Sequence, residues 1–199
     1  SEHFYSCVVG RLVKSPMDFI FSPINHFEIP MPTDGAAKVK LNTDLFNQSL
    51  EMQMAIFQIP SVGGWPPFYQ EPAYNRLWLN AVSLTKRKIY TDALNLTGFS
   101  TGKSKILINQ LNMLTGFDNP DDVKDVIEQY VLLLLPKPLT DNQKQTLYGI
   151  LNTGNEGDWK KIYAAYQANS ANPTLAKVVN LRLQQLVAYI MRMPEYHLS

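Results

Sequence analysis

The stretch 119–134, NPDDVKDVIEQYVLLL, carries the strongest helix signal in the chain. Its first four residues combine a capping side chain, a proline suited to the first helical turn and two acids that favour a helix N-terminus. Apolar side chains then recur at spacings of three and four residues, at Val123, Val126, Ile127, Tyr130, Val131 and Leu134. This spacing predicts an amphipathic helix with one buried face.

Similar start signals divide the rest of the chain. Helix starts are predicted at Ser15-Pro16, at Asn42-Thr43-Asp44, at Thr140 with its capping box to Gln143, at Asp158 and at Asn172-Pro173. Pro23 is expected to kink or end the first helix early. Residues 105–108 fit either a short strand or part of a helix, and no hairpin turn separates two alternating runs. The fold class is therefore mainly α, an irregular bundle of six to eight helices with long Pro/Gly-rich loops.

The composition excludes several classes of protein. The chain has 199 residues with a net charge of +1, which gives no electrostatic footprint for nucleic acid or an anionic membrane. Charged residues make up 18% of the chain, against about 25% in a typical domain. No apolar run is long enough for a membrane span. The single cysteine, Cys7, excludes an intrachain disulfide and a cysteine-rich zinc site.

Two segments are expected to be irregular, 28–41 and 58–73, because prolines and glycines cluster in them. A boundary between two helical units is indicated at Thr97–Lys103, where small and polar residues cluster. We therefore predict an N-terminal helical unit over 1–97, which includes the Pro/Gly/Trp loop, and a C-terminal helical unit over 104–199. The two units are expected to form one compact domain.

A search for catalytic patterns finds none. The three histidines, His3, His26 and His197, have no metal-ligand spacing. Residues 98–104 end in Gly-Lys-Ser, but their first glycine is one residue too close for a phosphate-binding loop, and a solvated turn is the better interpretation. Acids at helix N-termini and on exposed faces need no catalytic explanation. No catalytic residue, metal or cofactor is predicted, and whether the protein is an enzyme stays open.

The candidate binding residues are aromatic and planar polar side chains that cluster in one region. They are Trp65, Tyr69, Arg76, Trp78 and Asn80. Aromatic faces stack on sugar rings or on a peptide, while amide and guanidinium groups fix hydroxyls or carbonyls. The alternative is structural: the tryptophans fill a gap between helices and Arg76 pairs with an acid.

The same region resembles a bacterial family, the domain-of-unknown-function family 1800. Pro60-Ser-Val62-Gly-Gly64-Trp65, then Trp78-Leu-Asn80 and Arg87, resemble its "P-x-V-x-G-W" loop and its "W-L/I-N" helix start. Residues 13–19, VKSPMDF, resemble "I-K-S-P-x-E-F", and 186–198 resemble the family ending "L-V-x-L-I-x-x-S-P-E-F-Q-L". Met193 and Tyr196 depart from that ending, the insert 66–74 is longer than usual, and the opening "H-L-L-x-R-x-x-F-G" is missing.

The resemblance implies a mainly helical bacterial protein, often exported or periplasmic, of which this chain is the C-terminal part. It implies no reaction and no catalytic residue. Three hypotheses follow. The chain is a non-catalytic interaction module that binds another protein, a peptide or a glycan through 58–80. Alternatively, it is part of an enzyme whose catalytic groups lie mostly in the absent N-terminal half, with Arg76, Asn80 or Arg87 completing the site. Thirdly, it is a purely structural half-domain that packs on the absent segment.

Overall fold

A computed structural model of the chain describes residues 9–54, 58, 64, 78–101, 104–153 and 157–199. The described chain is mainly helical, as the sequence predicts. It divides into two compact units. Unit 1 comprises Ser1–Ile108 and His197–Ser199, and unit 2 comprises Asn109–Tyr196. The predicted division into helical units 1–97 and 104–199 within one compact domain stays a prediction.

The described part of unit 1 contains three helices and a short hairpin. Helix α1 spans Pro16–His26, α2 spans Gly35–Glu51 and α3 spans Ala81–Asp92, which continues into a π-helical turn at Ala93–Thr97. Strands β1, Phe99–Thr101, and β2, Ser104–Ile106, pair antiparallel with Phe99 opposite Ile106. Helix α2 packs against α1, α3 and β1.

Unit 2 is a helical bundle around its longest helix. The helices are α4, Gln110–Leu114; α5, Val123–Leu134; α6, Asp141–Asn152; α7, Asp158–Ala168; and α8, Pro173–Arg192. Helix α8 contacts the other four. A 3₁₀ turn, Pro194–His197, follows it. The spacing of apolar residues in α5 and α8 explains this arrangement, because both helices bury one face.

Three of the predicted helix starts are confirmed in atomic detail. The side chain of Ser15 accepts the backbone N–H of Asp18, with Pro16 as the first helical residue. Thr140 and Gln143 form a reciprocal capping box. Asn172 caps α8 by accepting the N–H of Thr174. In these three cases a side-chain acceptor directly before the helix satisfies a backbone N–H of the first turn.

Two predictions near the N-terminus need correction. Helix α1 does not end at Pro23 but continues three residues past it, with the proline buried. Helix α2 begins at Gly35 rather than at 42–44, so the segment 28–41 is irregular only before that residue. The Asp34 carboxylate accepts the N–H of Ala37 at 2.8 Å, and this cap makes the glycine acceptable as a first helical residue.

Three smaller corrections concern the middle of the chain. Helix α5 is capped by Asp122 and not by Asn119, so its cap lies three residues after the predicted one. Asp158 is the first residue of α7, after Gly157 in the left-handed region, rather than its cap. Residues 104–106 form a strand, in a hairpin that the sequence patterns did not indicate. Its strands have three residues each, too few for alternation to stand out.

Candidate functional site

The predicted binding residues divide into two sets. Trp65, Tyr69 and Arg76 lie outside the described residues. Trp78 and Asn80 are described, and both are half-buried immediately before α3. The backbone carbonyl of Trp78 accepts the Ser83 hydroxyl at 2.7 Å. Their role in binding stays a prediction.

Asn80 has a clear local role at the start of α3. Its side-chain oxygen accepts the N–H of Ser83 at 2.9 Å, and the Ser83 hydroxyl accepts the N–H of Asn80 at 3.0 Å. Its amide nitrogen donates to Oε1 of Gln53, just after α2, at 3.1 Å. Asn80 therefore fixes the beginning of α3 and ties it to the end of α2.

Described parts of three segments that carry the family resemblance meet in unit 1: residues 10–14, Arg87 and residues 197–199. Residues 10–14 run antiparallel to 197–199, with Val13 bridged to Leu198. The N–H of Lys14 donates to the carbonyl of His197 at 2.8 Å, and Gly10 donates to Ser199 at 2.8 Å. The Arg87 guanidinium donates to the carbonyl of Lys14 at 2.8 Å. Chain segments more than 70 residues apart are thus joined by directional bonds.

A phenylalanine ring lies against two of the basic groups. The Phe19 ring is parallel to the His197 imidazole, with 5.4 Å between centroids, and the Arg87 guanidinium carbon lies 4.5 Å from the Phe19 centroid. Tyr90 donates its hydroxyl to the Ile20 carbonyl at 2.7 Å. Arg87 is fully buried, and Lys14 and His197 are nearly so. We call Lys14, Arg87 and His197 the basic cluster.

Burial and mutual repulsion shift the proton affinities in the basic cluster. Burial, followed by the Arg87 charge, lowers the pKa of Lys14 to about 8, while the Asp18 carboxylate opposes the shift. Burial, followed by the charges of Arg87 and Lys14, lowers the pKa of His197 to about 4. The imidazole is therefore neutral at pH 7. Arg87 donates to a backbone carbonyl and lies over the Phe19 ring, and His197 stacks on the same ring, which suits a role in holding unit 1 together.

Unit 2 contains a groove along α5, which we call the α5–α6 groove. It has a volume of about 410 Å³, within the range of small-ligand sites. Its apolar lining comes from the last turns of α5 and the connection to α6: Val131, Leu132, Leu135, Pro136, Pro138 and Leu139. Leu132, in the last turn of α5, is 81% exposed.

Local sequence explains why the groove forms. The residue before a proline is biased away from helical backbone, and Leu135, before Pro136, has φ −112° and ψ 140°. Helix α5 therefore ends at Leu134, and the capping box at Thr140 starts α6 only after a short extended connection. The groove lies between this connection and the outer face of α5.

Charged side chains stand at the rim of the groove. Asp125 and Glu128 belong to α5, and Lys137 and Lys144 to the connection and to α6. Lys144 pairs with Glu128 at 3.3 Å across the two helices. The lining therefore combines apolar side chains with two acids and two lysines, which favours binding over acid–base chemistry.

Sequence reasoning did not find the basic cluster or the groove. Lys14, Arg87 and His197 are far apart in the chain, and only the fold brings them together. A signal for the groove did exist: Leu132 falls outside the stripe 123, 126, 127, 130, 131 and 134, so helical periodicity places it on the outer face. The prolines at 136 and 138 indicated the extended connection.

Comparison with known proteins identifies the family of the chain. A family model described as "Protein of unknown function (DUF1800)" matches residues 1–198. No curated protein and no solved structure matches the chain. Within the described ranges, no helix has the length and apolar character to cross a membrane, and no three metal-ligating side chains come together.

Proposed function

The chain belongs to the DUF1800 family of unknown function, and we propose that it acts there as a non-catalytic interaction module that binds a peptide segment of another protein. The observation that carries this proposal is the α5–α6 groove, which Leu132 lines with most of its surface exposed. A soluble domain gains by burying such a leucine, and a partner side chain buries it without rearranging the helix.

The shape of the groove supports a peptide better than a compact metabolite. It follows α5 and the Pro136–Pro138 connection, and four leucine and valine side chains contribute to its lining. Apolar peptide side chains fit such a floor, and a polar rim keeps the empty site soluble. Most of these residues pack in the core of unit 2, so the site is supported by rigid elements.

A display selection tests the proposal. Random heptapeptides are selected against the whole chain, and the enriched peptides are measured by fluorescence anisotropy against the wild type and Leu132→Ser. We expect Leu132→Ser to weaken binding at least tenfold, because truncation of a central apolar anchor typically costs more than about 1.4 kcal/mol.

Leu181→Ser is the matched control, because Leu181 is a half-exposed leucine on α8 away from the groove. It should leave the affinity unchanged. Equal affinities of wild type and Leu132→Ser, or equal losses in the two variants, would show that the selected peptides bind elsewhere.

The finer features implied by the resemblance stay proposals. These are a bacterial source, export or a periplasmic location, a longer parent protein, and glycan binding at Trp65, Tyr69, Arg76, Trp78 and Asn80. Two alternatives to the interaction module also stay open: part of an enzyme with its catalytic groups in the family's N-terminal half, and a structural half-domain. An enzymatic activity found in the longer protein and absent from this chain would favour the enzyme alternative. Self-association of this chain would favour the structural half-domain.

A further inference from the structure

The charges around the α5–α6 groove are not evenly distributed. Asp125 lies in the first turn of α5, whereas Lys137 follows the last turn, in the connection to α6. Glu128 and Lys144 lie between them and pair with each other at 3.3 Å. The groove therefore has an anionic end, a neutralised middle and a cationic end.

The two end charges have no ion pair in the part of the chain that the structure describes. Asp125 accepts the backbone N–H of Asn119 at 3.1 Å, which leaves its negative charge uncompensated by a cation. Lys137 is exposed between Pro136 and Pro138, and no carboxylate among the described residues pairs with it. Each end therefore offers a charge to a ligand.

The length of α5 along the groove sets the scale of the ligand. From Asp125 to Leu134, three residues before Lys137, the helix advances nine residues, or roughly 14 Å at its usual rise. An extended peptide advances about 3.3 Å per residue, so four residue steps cover nearly the same distance. The exposed face of Leu132 lies within this span.

We propose that the α5–α6 groove binds an extended peptide with a basic residue and an acidic residue about four positions apart and apolar residues between them. The inference rests on the proposed function and specifies the partner. The basic residue meets Asp125, the apolar residues cover Leu132, and the acidic residue meets Lys137. Opposite charges at the two ends also set the direction of the chain in the groove.

The test uses an acetylated and amidated heptapeptide with lysine at its second position, aspartate at its sixth and leucine or valine between. A neutral peptide with glutamine and asparagine at those positions is the comparison. A peptide with the two charges exchanged is not a useful control, because it binds equally well when turned end for end. We expect the neutral peptide to bind about fivefold more weakly in low salt, with the difference reduced below about twofold in 0.5 M salt.

A charge-reversal variant sharpens the test. Lys137→Glu should prefer a peptide with lysine at both positions over the lysine–aspartate peptide, a reversal of the wild-type preference. Lys160→Glu, on α7 and outside the groove lining, is the matched control and should keep that preference. Equal binding of charged and neutral peptides to the wild type, or an unchanged preference in Lys137→Glu, would overturn the inference and leave the proposed function intact. If Leu132→Ser binds these peptides as well as the wild type, the proposed function itself fails.

Discussion

The interiors of the two units are stabilised by different kinds of contact. Nine polar or charged side chains are buried among the described residues; seven lie in unit 1 and only Gln110 and Gln184 lie in unit 2. In unit 1 the buried groups include Arg87, a lysine and a histidine, and their bonds join distant segments. Unit 2 instead packs apolar helix faces around α8.

The difference has a physical consequence. Loss of one partner of a buried hydrogen bond leaves the other partner unsatisfied, which is costly. Apolar packing tolerates substitutions of similar volume and does not depend on pH. The stability of unit 1 should therefore fall strongly on single substitutions of buried polar side chains and in acid. The stability of unit 2 should depend on the volume of its buried side chains, and surface substitutions in its groove should leave the fold intact.

The largest expected effect is that of Arg87→Ala. The change leaves a cavity at a fully buried position and removes the donor to the Lys14 carbonyl, so the free energy of unfolding should fall by about 3 kcal/mol or more. Urea denaturation followed by circular dichroism measures the loss.

Arg182→Ala in unit 2 is the matched control. Arg182 also donates to a carbonyl, that of Leu151, and pairs with Asp158, but it is partly exposed. Its loss should cost about 1 kcal/mol. Equal losses in the two variants would remove the contrast between the units.

Acid should destabilise the chain through His197. Because the pKa of His197 is lowered from 6.5 to about 4 in the folded chain, the unfolded chain binds the extra proton between these values. The free energy of unfolding should therefore fall as the pH drops from 6.5 to 4, by at most about 3 kcal/mol from this group. The measurement is the urea midpoint at pH 7 and at pH 4.5.

His197→Asn should flatten this pH dependence. His26→Asn is the control, because His26 is exposed at the end of α1 and its removal should alter the dependence less. An identical pH dependence in wild type and His197→Asn would show that the buried imidazole is not the source.

A smaller effect is expected from Asn80→Ala. The variant loses the cap of α3 and the bond to Gln53, so the free energy of unfolding should fall by about 1 kcal/mol. Asn80→Asp keeps the capping oxygen and should recover most of the loss. If both variants are as stable as the wild type, Asn80 is not held there as a cap, and its predicted role in binding gains support.

The smallest effect on stability belongs to Leu132→Ser. With 81% of its surface exposed, Leu132 contributes little to the core, and the free energy of unfolding should change by less than about 0.5 kcal/mol. Leu147→Ala on the buried face of α6 should cost at least about 2 kcal/mol in the same thermal and urea measurements. A large loss in Leu132→Ser would mean that the groove floor is part of the core.

Sequence patterns were most informative where a local interaction decides the structure. Ser15, Thr140 and Asn172 all cap helices as predicted, because a side-chain acceptor and the turn it caps are neighbours in sequence. The start of α2 was missed because a glycine after two prolines is typical of a loop, and the Asp34 cap overrides that preference. The predicted sugar- or peptide-binding set remains a prediction, with Trp78 and Asn80 in described positions at the start of α3.

The basic cluster and the groove were beyond sequence reasoning for different reasons. The cluster requires contacts between residues 14, 87 and 197, which no periodicity relates. The groove depends on the distance between α5 and the connection after Pro136, and tertiary packing sets this distance. Only the outward position of Leu132 was readable from helical spacing.

The most direct test of the proposed function is a map of the peptide site by nuclear magnetic resonance. The amide resonances of the isotope-labelled chain are followed while a selected heptapeptide is added. We predict that the largest shifts fall within residues 125–144 and that they disappear in Leu132→Ser. Shifts centred instead on Trp78 and Asn80, and retained in Leu132→Ser, would contradict the assignment of the groove as the binding site.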